Sequence, residues 1–343
     1  MTENILFICG SLNQTTQMHQ IAQQMGAHNS YFTPYYVDGF EQILAKTGLL
    51  DFTVLGGRHQ RDTRSYLASQ NLPVDERGKG RSYDLVITSS DLIIQDNIRR
   101  KRMILVQEGI TEPERKLYRL YKTFPFLPRY IANTATSGLS NAYDIFCVAS
   151  KGYAEHFICK GVRPEKIAIT GIPNFDQLSK NHENDFPHRD YVLVATTPYR
   201  ETFRGDDRQA FLHKCGVIAA GRPMIFKLHP TENAPRAISE IQNLFPDALV
   251  LTHGNVNHMI ANAAVVITQQ STCTFVAVGL NKETHTYLDI NELRRLMPIQ
   301  NNGTSARQIA SIALRLLHTP MPVLEQIRLG SRARPRWEQS DAF

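Results

Sequence analysis

The residues best suited to holding an anion lie in the stretch IFKLHPTENAPRA, residues 225–237. Ile225 and Phe226 close an apolar run that predicts a buried strand, and Lys227 and His229 alternate outward at its C-terminal edge. Pro230 ends the ladder, and Thr231, Glu232 and Asn233 with Pro235 open a helix. Ligands of open α/β sheets sit outside the carboxyl ends of the strands. An ammonium and an imidazole therefore stand where a phosphorylated ligand is expected. The plainer alternative is a polar strand-to-helix turn with a solvated lysine. A second stretch, VVITQQSTCTFVAVGLNK over 265–282, predicts a buried strand, a turn holding Gln270, Ser271 and Thr272, and a small-residue helix ending at Gly279. The amides and hydroxyls of Ser271 and Thr272 would face an anion at that helix N-terminus. Thr197 and Arg200, on the turn after a further strand, extend this substrate-binding set.

Two carboxylates are placed for acid–base work. Asp91 follows the strand predicted over 83–88, and Glu108 follows the one over 103–106. Both sit at carboxyl edges, where a catalytic acid or base is positioned. Each could instead cap the following helix, and Glu108 could pair with Arg115 or Lys116. Gly109 allows a sharp turn beside Glu108.

The elements that must carry these residues form two similar series. In the first, strands are predicted over 5–9, 32–37, 83–88, 103–106, 144–150 and 167–170, with a helix over 15–25 after the turn Gly10-Ser11-Leu12-Asn13-Gln14, and residues 54–57 close another unit. The second runs through strands over 191–195, 224–228, 248–251, 265–268 and 284–288. Between them, residues 179–190 are polar and aperiodic. The expected organisation is an N-terminal domain over 1–172, a linker over 173–190, a C-terminal nucleotide-binding domain over 191–318 and a basic tail over 319–343. Such a chain is α/β, with two doubly wound Rossmann-like domains facing across a cleft.

Composition agrees. The 343 residues are 42% hydrophobic and 20% charged, ample for two cores. The start lacks a basic n-region, and no apolar run reaches membrane-spanning length, so a cytoplasmic protein is expected. Five scattered cysteines form no ligand spacing, and neither a metal nor a cofactor is expected. The net charge of +6 suits anionic substrates or lipid headgroups. Residues 112–131 mix cations with Tyr and Phe, compatible with an acceptor site, a membrane surface or an amphipathic helix. No nucleic-acid recognition motif is present.

Several of these stretches carry a family resemblance. DIFCVASKGYAEHFICKGVRPEKIAITGIPNFD, over 144–176, resembles the segment that closes the first domain of GT-B-fold sugar enzymes, among them the non-hydrolysing UDP-N-acetylglucosamine 2-epimerases. KLHP at 227–230 resembles the R/K-x-H-P element of the CDP-glycerol glycerophosphotransferases and capsule-polysaccharide transferases. QQSTCTFVAVGLNKE at 269–283 resembles their S-S-T-x-x-x-E-A-x-x-x-G-K-P element, and VQEGI at 106–110 resembles the V-E-A-G-L of the epimerases. Together these cover roughly residues 83–285.

The resemblance implies the GT-B fold and sugar-nucleotide chemistry. It departs from the epimerase pattern at Gly10-Ser11-Leu12-Asn13-Gln14, where those enzymes carry G-T-R-P-E, and at Val276, where the acidic residue of the second-domain motif would fall. The implied reaction is metal-independent glycosyl transfer from a nucleotide-sugar to a glycan, polysaccharide or lipid-linked acceptor, at the inner face of the membrane. Glu108 or Asp91 would be the base. Ser11, Asn13, Thr197, Arg200, Lys227, His229, Gln270, Ser271 and Thr272 would bind substrate. Epimerisation and non-catalytic nucleotide or glycan binding are the alternatives. Glu108 is expected to face the cleft from the first domain, opposite an anion cradle in which Lys227, His229, Ser271 and Thr272 converge.

Overall fold

The apolar run near the N-terminus is strand β1 (Asn4–Cys9), buried from Ile5 to Cys9. It is continuously apolar because it lies inside a parallel sheet covered on both faces. With β2 (Asn29–Pro34), β3 (Leu85–Thr88), β4 (Arg102–Val106), β5 (Ile145–Val148) and β6 (Ile167–Ile169) it forms a sheet of order β2-β1-β3-β4-β5-β6, every pair parallel. Helices α1 (Leu12–Ala22), α2 (Gly57–Ser69), α3 (Lys116–Thr123) and α4 (Lys151–Lys160) accompany these strands. A computed structural model provides this description, for residues 2–38, 57–109, 111, 116–124, 127–201 and 205–329. The unit expected to close at residues 54–57 falls largely outside them.

Helix α1 begins three residues earlier than its sequence suggests. Ser11 is its N-cap, the hydroxyl accepting from the Gln14 amide at 3.2 Å, so Leu12, Asn13 and Gln14 are its first turn rather than a loop. Helix α4 has clear boundary signals at both ends. Ser150 caps its start, and Gly161, at φ +112°, closes it in the left-handed conformation.

The second sheet comprises β7 (Val192–Ala195), β8 (Met224–Lys227), β9 (Leu249–Leu251), β10 (Val265–Thr268) and β11 (Glu283–His285), again parallel, in the order β11-β10-β7-β8-β9. Its helices are α5 (Arg208–Ala219), α6 (Ala234–Leu244), α7 (Val256–Asn262), α8 (Cys273–Gly279) and α9 (Ile290–Leu296). Its core joins Val192, Val194, Phe226, Val265 and Ile267 of the strands to Phe211 and Leu212 of α5 and Ile241 of α6.

The domain boundaries differ from the expected ones. One unit takes in the chain up to Asp176 and again from Pro298; the other is Gln177–Met297. Residues 298–318, expected in the second domain, thus return to the first. Helix α10 (Ser305–His318) places Ala306, Ile309, Ala310, Ala313 and Leu316 in one core with Ile5, Phe7, Ile87 and Ile104. The buried Asp176 carboxylate holds this return, accepting from the amides of Asn301 and Ser305, the latter at 2.6 Å. The expected tail begins as helix α11 (Met321–Leu329), with Leu324 in the same core. Arg328 there grips Asp144 through two bonds of 2.7 and 2.9 Å. Arg332, Arg334 and Arg336 lie outside the described residues.

The expected linker is likewise structured beyond its first residues. Leu178 is buried in the second unit, and Asn184 and Arg189 bond to the side chain of Asn262 at the end of α7. Its polar residues pair with one another, which removes the apolar periodicity without making the segment loose.

Candidate functional site

In the second unit, β8 and β10 flank β7, and Ala195 lies opposite both Lys227 and Thr268. Neighbouring strands run about 4.8 Å apart. The turns after β8 and β10 therefore leave the carboxyl edge roughly 10 Å apart, with the Thr196–Thr197 turn between them.

The KLHP turn is braced from beneath. Glu232 is buried, and one carboxylate oxygen accepts from the Thr196 hydroxyl and from the His229 amide at 3.3 Å. Its other oxygen lies 2.9 Å from the guanidinium of Arg208, which is also buried. Thr196 Oγ1 accepts from the His229 amide at 3.1 Å as well. The His229 backbone is thus fixed while its side chain remains exposed, Nδ1 lying 2.8 Å from Thr231 Oγ1. Glu232 and Arg208 brace this turn, a role that the sequence reading missed. Glu232 had a signal: a carboxylate three residues beyond the strand-end residue can reach back to that residue's amide, as in a capping box. Arg208 had none, because only the fold brings the start of α5 beneath the turn.

Of the four residues expected to form an anion cradle, Lys227 is committed elsewhere. Lys227 is 7% exposed, and its ammonium donates to the carbonyls of Leu228 (2.8 Å) and Thr252 (3.1 Å). It joins the edges of β8 and β9 rather than extending toward a ligand. Burial holds this ammonium below the usual lysine range, with the nearby Cys273 and Glu232 acting against that shift. Arg200 is also committed elsewhere. It meets Glu240 through two bonds of 2.8 and 2.7 Å, and Asp206 lies 3.9 Å away. A bidentate carboxylate pair satisfies the guanidinium locally.

Ser271 Oγ accepts from the Cys273 amide at 3.2 Å, which orders the turn before α8. Thr272 is exposed, and its hydroxyl makes no capping bond. Gln270 is half-buried beside them. Around this edge, Thr197 Oγ1, Thr268 Oγ1, Gln269 Oε1 and Thr274 Oγ1 are buried without a hydrogen-bond partner among the described residues. Buried polar atoms are normally satisfied, so this edge offers hydrogen-bonding capacity that the described residues do not use.

In the first unit, Glu108 is half-buried just beyond β4, directly at the start of α1. Its Oε1 accepts from Ser11 Oγ at 2.7 Å, and Oε2 from Gln14 Nε2 at 2.6 Å. Asn13 Nδ2 approaches Oε1 at 3.4 Å. These donors are neutral side-chain groups, and they fix the orientation of the carboxylate. The helix end that would attract a phosphate is filled by the protein's own anion. Ser11 and Asn13, expected to bind substrate, are engaged with Glu108. Asn13 also accepts from Asn174 at 2.7 Å. Of the two anticipated ion-pair partners, Arg115 and the side chain of Lys116 both lie outside the described residues.

Asp91 is not a free base. It is 0% exposed, lies 3.2 Å from the Arg129 guanidinium, and accepts from the amides of Gly138 (2.9 Å) and Ser140 (3.0 Å). It anchors the segment before β5 instead of capping a helix. The 170–176 motif is also structural here. Gly171, at φ +78°, packs where a Cβ would strike Ser305; Asn174 clamps α1; and Asp176 holds the return segment.

Among the described residues no helix is long and apolar enough to cross a membrane. No protein-family model matches the chain, and no curated protein matches it by sequence. Solved structures do match in fold. UDP-GlcNAc 2-epimerase from Neisseria meningitidis, bound to UDP-GlcNAc, is 11% identical with a TM-score of 0.53, covering 95% of this chain and 94% of that one. The Methanocaldococcus jannaschii UDP-GlcNAc 2-epimerase, in complex with UDP-GlcNAc and UDP, is 13% identical with a TM-score of 0.53, covering 91% and 99%. The wall teichoic acid polymerase TagF is 11% identical with a TM-score of 0.50, covering 92% and 88%. The similar structures thus include both epimerases and a polymerase, and the α/β fold with two parallel sheets that GT-B sugar-nucleotide enzymes share is the fold of this chain.

Proposed function

We propose that the chain is a metal-independent glycosyltransferase that moves a sugar from a nucleotide-sugar donor to a glycan, polysaccharide or lipid-linked acceptor. The observation that carries this reading is the carboxyl edge of the second sheet. There an exposed imidazole, His229, stands on a turn braced by buried Glu232 and Arg208, on the same edge as the hydroxyls of Thr197 and Thr268, which have no partner among the described residues. Such groups suit the diphosphate of a nucleotide, whose developing charge on departure needs preorganised donors. No Asp-x-Asp occurs in the sequence, so protein groups take that charge in this reading.

Glu108 is the base for the acceptor hydroxyl. It is aimed by neutral donors and only half-buried, whereas Asp91 is fully buried against Arg129. This difference favours transfer over epimerisation. Moving a proton on and off one sugar carbon calls for two acid–base groups, and Asp91 cannot serve as the second. In α3 and just after it, exposed Leu120 and Phe124 lie beside Arg119 and Lys122, which supports a peripheral contact with a lipid-linked acceptor at a membrane surface.

The test is calorimetric titration of His229→Ala with UDP- and CDP-linked donors. Affinity is expected to fall by about 1–3 kcal/mol, the range for losing a hydrogen bond to a charged group. The His229 side chain is exposed, so the variant should fold. Unchanged affinity would show that the nucleotide is not held at this edge.

A further inference from the structure

Away from both carboxyl edges, the first unit carries a cavity of about 520 Å³ at the opposite, N-terminal edge of its sheet. The segments leading into β3 and β4 form it. Leu85 lies opposite Arg102, so the preceding residues, Arg81 to Tyr83 and Ile98 to Lys101, come side by side. Strand β3 is four residues long, which sets this edge roughly 13 Å from the Asp91 and Glu108 end.

Three of the eight lining residues are cations (Lys79, Arg81 and Lys101), and none is acidic. Buried Ile98 and the Tyr83 ring supply an apolar floor, the Tyr83 hydroxyl being committed to Asp75. The cations are held in place. The Arg81 guanidinium sits 4.2 Å from the centre of the Tyr31 ring, and Lys101 Nζ lies 3.3 Å from Ser82 Oγ. Asp38 lies 3.9 Å from Lys79 and is already paired with Arg77 at 2.6 Å. Three like charges around one concavity repel each other unless an anion joins them.

We propose that this cavity is a second binding site, specific for a phosphate-bearing group. The charge calls for two or more negative charges, as in a pyrophosphate or a phosphorylated headgroup. The volume lies within the range of small-molecule sites. The floor accepts an apolar portion of the same ligand. The inference does not rest on the transferase reading, because the lining residues take no part in it.

The experiment compares wild-type protein with the K79S/R81S/K101S triple variant, its fold checked by circular dichroism, and with Lys79→Glu alone. The Lys79 side chain is 54% exposed, so the single change should leave folding intact. Calorimetry with inorganic pyrophosphate, and co-sedimentation with phosphatidylglycerol against phosphatidylcholine vesicles, read the two sources of the group. The expected result is pyrophosphate binding that weakens about tenfold or more in each variant. Vesicle binding that needs the cations and is displaced by pyrophosphate would identify the ligand as a lipid headgroup. Pyrophosphate binding without vesicle binding would identify a free phosphoanion. Equal pyrophosphate and vesicle binding in wild type and in Lys79→Glu would overturn the proposal, whether or not the triple variant folds.

Discussion

Glu108→Gln should lower turnover by about 10²–10⁴ while leaving donor affinity nearly unchanged, the signature of a lost general base. The substitution keeps the side-chain shape but removes the charge and one acceptor oxygen. Ser11 and Gln14 would then face an amide where both now donate to a carboxylate. The variant should therefore also lose about 1.5–3 kcal/mol of stability, the contribution of a hydrogen bond to a charged group. The two effects are separable, since turnover per folded molecule reports on the base and a denaturant melt on the anchoring. A well-folded Glu108→Gln protein with normal turnover would reduce Glu108 to an anchor for the side chains of Ser11 and Gln14.

Asp91→Ala should do the opposite. Its carboxylate is buried, with one cation and two backbone amides as partners. Removing it leaves the Gly138 and Ser140 amides unpaired and Arg129, itself 19% exposed, without its counter-ion. Breaking one side of a buried pair costs about 3–5 kcal/mol, so urea unfolding should show a large loss of stability. Turnover of the folded fraction should stay within about twofold of wild type, the margin expected when no transition-state contact is lost. A stable Asp91→Ala protein that has lost turnover would return Asp91 to the mechanism and reopen the epimerase reading.

The strands were legible because each is a short apolar run bounded by turn residues, and parallel sheets buried on both faces demand such runs. Sheet order and the return of the chain to the first unit were not legible. Helix α10 is amphipathic in the same way whichever sheet it covers, and only the long-range bonds from Asp176 and the packing of Ile309 reveal its place.

The site divides along the same line. His229, Thr272 and Glu108 lie at carboxyl edges, as the strand ends implied. Lys227 and Arg200 have the right charge and position, but each is satisfied by nearer partners that are distant in sequence: Thr252 for one, Glu240 for the other. A cation read from sequence carries no sign of whether it is already paired. Glu232 was hidden for a related reason, since it sits where helix-opening polar residues are ordinary and its buried partners, Thr196 and Arg208, come from other elements.

The central claim is that the carboxyl edge of the second sheet holds the nucleotide of a sugar donor. It is tested most directly by a thermal-shift screen of the full chain against UDP-, CMP-, CDP- and GDP-sugars, followed by amide hydrogen exchange with whichever stabilises it. The account predicts that at least one nucleotide-sugar raises the melting temperature and slows exchange at residues 196–199, 228–233 and 268–274. Stabilisation with protection confined to the first unit, or no stabilisation by any nucleotide-sugar, would contradict it.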